Sequence, residues 1–143
     1  MIPNNYSNLN WNNAEYINTS LSSTAGGYNV GARSRPFVLR NLPGTNVSLI
    51  TANGTRFSFD GLYLTSAWRA NLYVNVKTIR NGTVTTVGIF NLTTTKSKAI
   101  ICGDICRNID TMTFESYGGF PNSTLPQNGS EFIVDNLCIS FGR

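Results

Sequence analysis

The chain contains no histidine. That absence removes the commonest general base and any Ser-His or Cys-His nucleophile pair. Charge is scarce as well. Lys, Arg, Asp and Glu make up 13% of the 143 residues, where ordinary soluble domains carry about 25%. The eight Arg and three Lys stand singly along the chain. The net charge of +4 therefore forms no track for nucleic acid, and nucleic-acid binding is not expected. No apolar run is long enough for a membrane span. Met1 to Asn5 has neither the charged region nor the apolar stretch of a signal peptide.

Carboxylates are few: Glu15, Asp60, Asp104, Asp110, Glu115, Glu131 and Asp135. A glycosidase needs two of them facing each other across a cleft. Asp110 and Glu115 have opposite parity on one strand and should project to opposite faces, so no catalytic residue is assigned and a non-enzyme is expected. Cysteine is limited to Cys102, Cys106 and Cys138. Without a second pair or a histidine these do not make a zinc site. One internal disulfide with one cysteine left over is the remaining arithmetic. Pairing Cys138 with Cys102 closes a loop of about 37 residues and stabilises by about 4 kcal/mol, against about 2 kcal/mol for Cys102 with Cys106. Spacing does not choose between them. The odd cysteine is either buried and inert or bonded to another chain.

What the chain has in excess is asparagine. Eight Asn-X-Ser/Thr sequons begin at Asn5, Asn18, Asn46, Asn53, Asn81, Asn91, Asn122 and Asn128. With 19 Asn and 29 Ser plus Thr, chance placement gives about 4 sequons. Each occupied site must lie at the surface, so the pattern predicts a secreted, extracellular, glycan-covered protein. Asn- and Thr-rich turns would generate some of these motifs by composition alone.

Residues 1–35 are rich in Asn, Ser and Gly, with isolated apolar anchors, and read as an irregular lead-in or a donated or edge strand. Residues 36–143 read as a β-sandwich domain. Strand signals cover 37–42, 47–51, 56–67, 72–80, 83–92, 98–102, 109–116 and 131–141, each closed by turn residues. Within 56–67, Phe57 and Phe59 alternate, Asp60-Gly61 suggests a bulge, and Leu62 and Leu64 resume. Asn81-Gly82 supplies the two positive-φ positions of a type I′ hairpin turn. No helical period runs over ten residues. The expected fold is all-β, a single-domain antiparallel β-sandwich of jelly-roll type.

The stretch Phe132-Ile133-Val134-Asp135-Asn136-Leu137-Cys138-Ile139, with Phe57 to Trp68 and Ile109 to Phe114 before it, resembles the galactose-binding-like jelly rolls shared by many carbohydrate-binding modules. The resemblance spans about residues 36–141. It implies that the last-strand acid, Asp135, ligates a structural calcium together with an acid near the N-terminus, for which Glu15 is the available residue. One Asp with carbonyls and amides can supply part of calcium's six to eight oxygens. Capping of local backbone by Asp135 and Asn136 is the competing role. A sugar would stack on an exposed aromatic beside amide or Arg donors. Trp68-Arg69 and the Tyr117-Gly118-Gly119-Phe120 loop are the candidates, with rim packing over the core as their other reading. Two functions follow. The first is a structural or adhesive building block of a matrix, coat or filament, joined to other copies of itself by donation of a segment such as Tyr6 to Leu21. The second is a carbohydrate-binding module docking to polysaccharide.

Overall fold

The computed structural model describes residues 8–20, 26–34, 36–51 and 54–141. Twelve strands are laid down in chain order: β1 (Leu9–Asn12), β2 (Ala14–Asn18), β3 (Phe37–Asn41), β4 (Val47–Thr51), β5 (Phe57–Ser66), β6 (Arg69–Ala70), β7 (Leu72–Arg80), β8 (Thr83–Leu92), β9 (Lys98–Ile101), β10 (Thr111–Tyr117), β11 (Phe120–Pro121) and β12 (Phe132–Phe141). They form two five-stranded antiparallel sheets, β1-β4-β10-β7-β8 and β2-β3-β12-β5-β9, with a small β11-β6 ribbon at one end. This is the jelly-roll β-sandwich expected from the sequence. Strands from distant parts of the chain pair as neighbours, β4 with β10 and β12 with both β3 and β5.

The core lies between the sheets because each strand presents every second side chain inward. Leu72, Val74 and Val76 of β7, Met112 and Phe114 of β10, and Val47 and Leu49 of β4 face Leu62 and Leu64 of β5 and Phe132 and Val134 of β12. The long β5–β12 pair shifts its inward set midway. Register slips between Asp135 and Cys138 on one strand, and between Cys138 and Ile139 against Gly61 and Phe59 on the other. The inward residues change from Phe57 and Phe59 to Leu62 and Leu64 on β5, and from Phe132 and Val134 to Leu137 and Ile139 on β12. The bulge expected at Asp60-Gly61 is thus matched by a second one at Asn136, whose φ is 52°. The two insertions cancel, and both strands stay paired along ten residues.

Within 1–35, read as an irregular lead-in or a donated or edge strand, the described residues form two short strands and a helix. β1 joins one sheet and β2 the other, as edge strands paired with β4 and β3 of the same chain. The sheet change takes one residue, Asn13, whose φ of 58° turns the chain through the left-handed region. Its carbonyl accepts the amide of Leu42 at 2.9 Å. A short helix, α1 (Tyr28–Gly31), then lies on the outer face of the second sheet. Tyr28, Ala32, Val38, Ala67, Trp68 and Ile133 make a second apolar cluster there. Glycine makes the close approach possible. A Cβ on Gly27 would stand 1.9 Å from the Ser66 carbonyl oxygen, and one on Gly31 would stand 2.9 Å from Ile133 Cγ2.

Cys102 and Cys106 form the disulfide, with both cysteines buried beside a short 3-10 turn over Asp104–Cys106. Cys138 is free and exposed. The expectation of a buried odd cysteine is corrected: the bulge at Asn136 shifts β12 so that Leu137 and Ile139 point inward and Cys138 points out.

The β7–β8 turn is anchored from below. Asp110 accepts the Asn81 amide at 2.7 Å and pairs with Arg56 at 2.9 Å, and Arg56 also reaches the Asn81 side chain. The Asn81 amide, then Arg56, hold the Asp110 carboxyl below the usual carboxylate range. Its stabilisation is complete above the ordinary Asp value near 3.9 and is lost as pH falls through the lowered value. Asp110→Asn should therefore melt below the parent at neutral pH, with the gap closing in acid; thermal melts from pH 7 to 2 read it. Gly27→Ala should cost about 1–3 kcal/mol by overpacking against Ser66, measured as a lower denaturant midpoint at unchanged slope.

Candidate functional site

The two sheets differ on their outer faces. One carries α1 and the Trp68 cluster. The other is bare over the described residues and displays the side chains that the inward set leaves out. On β7 these are Tyr73, Asn75 and Lys77, and across the ladder they meet Tyr117, Glu115 and Thr113 of β10 and Asn91, Ile89 and Thr86 of β8. Tyr73 and Tyr117 are directly opposite each other. Their rings lie nearly parallel, 21° apart in plane and 5.6 Å between centroids, and they are 37% and 44% exposed. Offset pairs of this kind hold each other's orientation.

Gly118 closes the turn beside them. Its φ is 70°, and its Cβ position lies 3.3 Å from Tyr73 Cδ2, so the backbone passes along the ring edge. Phe120 follows, 67% exposed, with β11 tied to β6. Asn75 lies one row below the tyrosines, and its carbonyl oxygen is enclosed without a donor. An unmet buried acceptor is uncommon and calls for an explanation. Asn91 flanks Tyr73 on the other side.

Sequence reasoning brought only part of this together. Tyr117 is at the site, whereas Trp68 is not. Trp68 is 6% exposed, packs edge-on against Tyr28 at 5.4 Å, and is pressed by Gly26. It cannot serve as a sugar platform because α1 and its lead-in cover it. Arg69 donates from Nε to the Asn128 carbonyl at 2.7 Å and from Nη1 to the Gly118 carbonyl at 2.9 Å. It holds two loops together beside the tyrosines. Tyr73, Asn75 and Asn91 were missed as a group. Their signal was available, since Tyr73 and Asn75 are the outward half of the alternation on β7.

The proposed calcium ligands do not assemble. Glu15 is paired with Arg40 at 2.6 Å. Asp135 accepts the backbone amides of Ser34 at 2.7 Å and Asn136 at 2.8 Å, and the Asn136 side chain bonds Ser34 Oγ. Asp135 and Asn136 therefore cap the chain after α1 and fix the bulge. Among the described residues no three His, Cys, Asp or Glu side chains come together.

Six sequon asparagines fall within the described residues. Asn46, Asn81, Asn91 and Asn128 are exposed, and Asn18 and Asn122 are half-buried. Asn18 and Asn122 accept the amides of Ser20 and Thr124 in local turns. Asn5 and Asn53 lie outside the described residues. Among the described residues no helix is long and apolar enough to cross a membrane.

No protein-family model and no curated protein matches the sequence. Solved structures do share the shape. A DUF4465 family protein from Bacteroides caccae superposes with a TM-score of 0.61 at 12% identity, covering 94% of this chain and 82% of that one. A family 29 carbohydrate binding module gives 0.46 at 15% identity over 73% and 69% of the two chains. TmCBM61, solved in complex with β-1,4-galactotriose, gives 0.49 at 9% identity over 95% and 90%. The jelly-roll assignment rests on the first of these and on the strand order itself.

Because Trp68 belongs to the second apolar cluster, Trp68→Ala should cost about 3–5 kcal/mol of stability. Circular dichroism during denaturation reads this, and a stable, fully folded Trp68→Ala protein would contradict the placement.

Proposed function

We propose that the chain is a non-catalytic carbohydrate-binding module, extracellular, that holds a polysaccharide on the uncovered outer sheet face. The observation that carries this reading is the near-parallel Tyr73–Tyr117 pair on that face. Sugar rings present a face of C–H groups edged by hydroxyls, and sites for such ligands combine an apolar platform with a few placed polar groups. Here the tyrosines offer the platform. Asn91, exposed and directly opposite Tyr73 on β8, supplies an amide beside it.

The matrix or filament reading drew on sequon density, scarce charge, the missing catalytic groups, the odd cysteine and a terminal segment such as Tyr6 to Leu21 available for donation. β1 and β2 are already paired with β4 and β3 of the same chain, which removes the support that strand donation gave to that reading. Glycosylation of the exposed sequons Asn46, Asn81 and Asn128 is part of the proposal, and Asn91 is left bare. Asn91 is the sequon that bears on binding, because a glycan there would lie beside Tyr73.

A glycan array with unglycosylated protein tests this. The wild type should bind at least one polysaccharide class. Tyr73→Ala and Tyr117→Ala should each weaken that binding by about tenfold or more, about 1.4 kcal/mol, at unchanged thermal stability to within a few degrees. Absence of any binding, or binding indifferent to both substitutions, would remove the assignment.

A further inference from the structure

Beside the tyrosine face, at the margin of the sandwich, lies a groove of about 660 Å³ lined in part by Tyr63, Asn71, Asn91, Lys96, Ser97 and Lys98. Asn91 belongs to both places: it lines the groove and stands opposite Tyr73. A chain-like ligand lying on the tyrosines and running over β8 therefore enters the groove directly.

The charge of the groove is one-sided. Two of the chain's three lysines line it, and none of its lining residues is acidic. Arg33 adds a third cation, its guanidinium carbon 4.0 Å from the centre of the Tyr63 ring. The neighbouring acid is Asp135, opposite Tyr63 in the ladder, and its two oxygens are taken by the Ser34 and Asn136 amides. Glu115, the acid of the tyrosine face, is on β10, on the far side of β7 from the groove. Elsewhere three arginines are matched, while Lys77 and Arg80 on β7 stand outside the groove without an ion pair among the described residues. Arg40, Arg56 and Arg107 are paired with Glu15, Asp110 and Asp60, whereas no lysine forms an ion pair among the described residues. Unpaired cations gathered in a groove favour an anionic partner and steer its approach.

Building on the sugar-binding reading, we infer that the polysaccharide is acidic. Its uronate carboxylates or sulfate esters sit in the groove against Lys96 and Lys98, while uncharged ring faces stack on Tyr73 and Tyr117. The lysines are point-charge donors on flexible stems, so they select for charge rather than for one oxygen geometry. Ser97 sets the floor and is not a free donor, since it is engaged with Val30 and Thr65.

The test uses the full, unglycosylated chain and four probes: polygalacturonate, the same polymer after carboxyl reduction, a sulfated galactan and its desulfated form. Titration calorimetry at 0.05 M and 0.5 M NaCl should show tighter binding to one acidic polymer than to its neutral counterpart, by about tenfold. Which acidic polymer does so identifies the anion. The preference should fall at high salt. Lys96→Ala and Lys98→Ala should each erase most of it, while Arg80→Ala, an equal charge change on the exposed end of β7, should leave it intact. Equal affinity for charged and neutral polymers would overturn the inference and leave sugar binding standing. So would a preference that survives both lysine substitutions, or one that Arg80→Ala diminishes as much. Failure of all four polymers to bind would overturn this inference, while sugar binding itself stands or falls on the glycan array.

Discussion

The close seating of residues 26–34 on the second sheet is the contact on which the rest of the molecule's asymmetry depends. A β-sandwich has four sheet faces, and packing the two inner ones against each other leaves two outer faces to be disposed of. Here Gly26, Gly27 and Gly31 bring the backbone almost onto Ser66, Ala67 and Ile133. Tyr28 and Trp68 are then buried against each other. That arrangement consumes the largest aromatic of the strand ends as core. It leaves the opposite outer face uncovered, with its tyrosine pair open to solvent.

Asparagine has a backbone role that sequon counting did not register. All six described non-glycine residues with positive φ are Asn: Asn8, Asn13, Asn71, Asn81, Asn108 and Asn136. Asn tolerates the left-handed region because its short amide can bond locally. Each of these turns a corner or a bulge, and only Asn81 also heads a sequon. The asparagine excess is therefore two signals superposed, one for turns and one for possible glycan sites. The first is sufficient to account for the hinge at Asn13, which moves the chain from one sheet to the other.

Much of the fold could be read from alternation. The eight strand signals, the Asn81-Gly82 hairpin and the Asp60-Gly61 bulge each depend on residues close in sequence, where period and turn chemistry decide. β1, β2 and α1 depend instead on what they pack against. Leu9, Trp11 and Ala14 are inward residues of short strands, and four or five residues are too few for a period to stand out. The choice between platform and core packing for Trp68 stayed open for the same reason. A tryptophan at a strand end is a platform or a core residue according to whether another segment covers it. The segment that does so lies about forty positions earlier in the chain.

The site itself turns on one residue of register. From the Asn81-Gly82 turn, β7 and β8 pair as Arg80 with Thr83, Ile79 with Val84, Thr78 with Thr85 and Lys77 with Thr86. Continued without interruption, that register would set Tyr73 opposite Phe90. Instead Val87 is inserted, and Val76 pairs with Gly88 and Tyr73 with Asn91. The insertion does two things at once. Phe90 and Leu92 turn inward, to join Leu72 and Val74 in the core. Asn91 moves to the outer face beside Tyr73, and with it the rim of the lysine groove comes into line with the tyrosines. A glycine at position 88 fits this geometry, since a Cβ there would stand 2.8 Å from the Phe90 ring. The demand for a filled core thus fixes which amide borders the aromatic face. Core and site are linked through a single bulged strand, not through any residue that belongs to both.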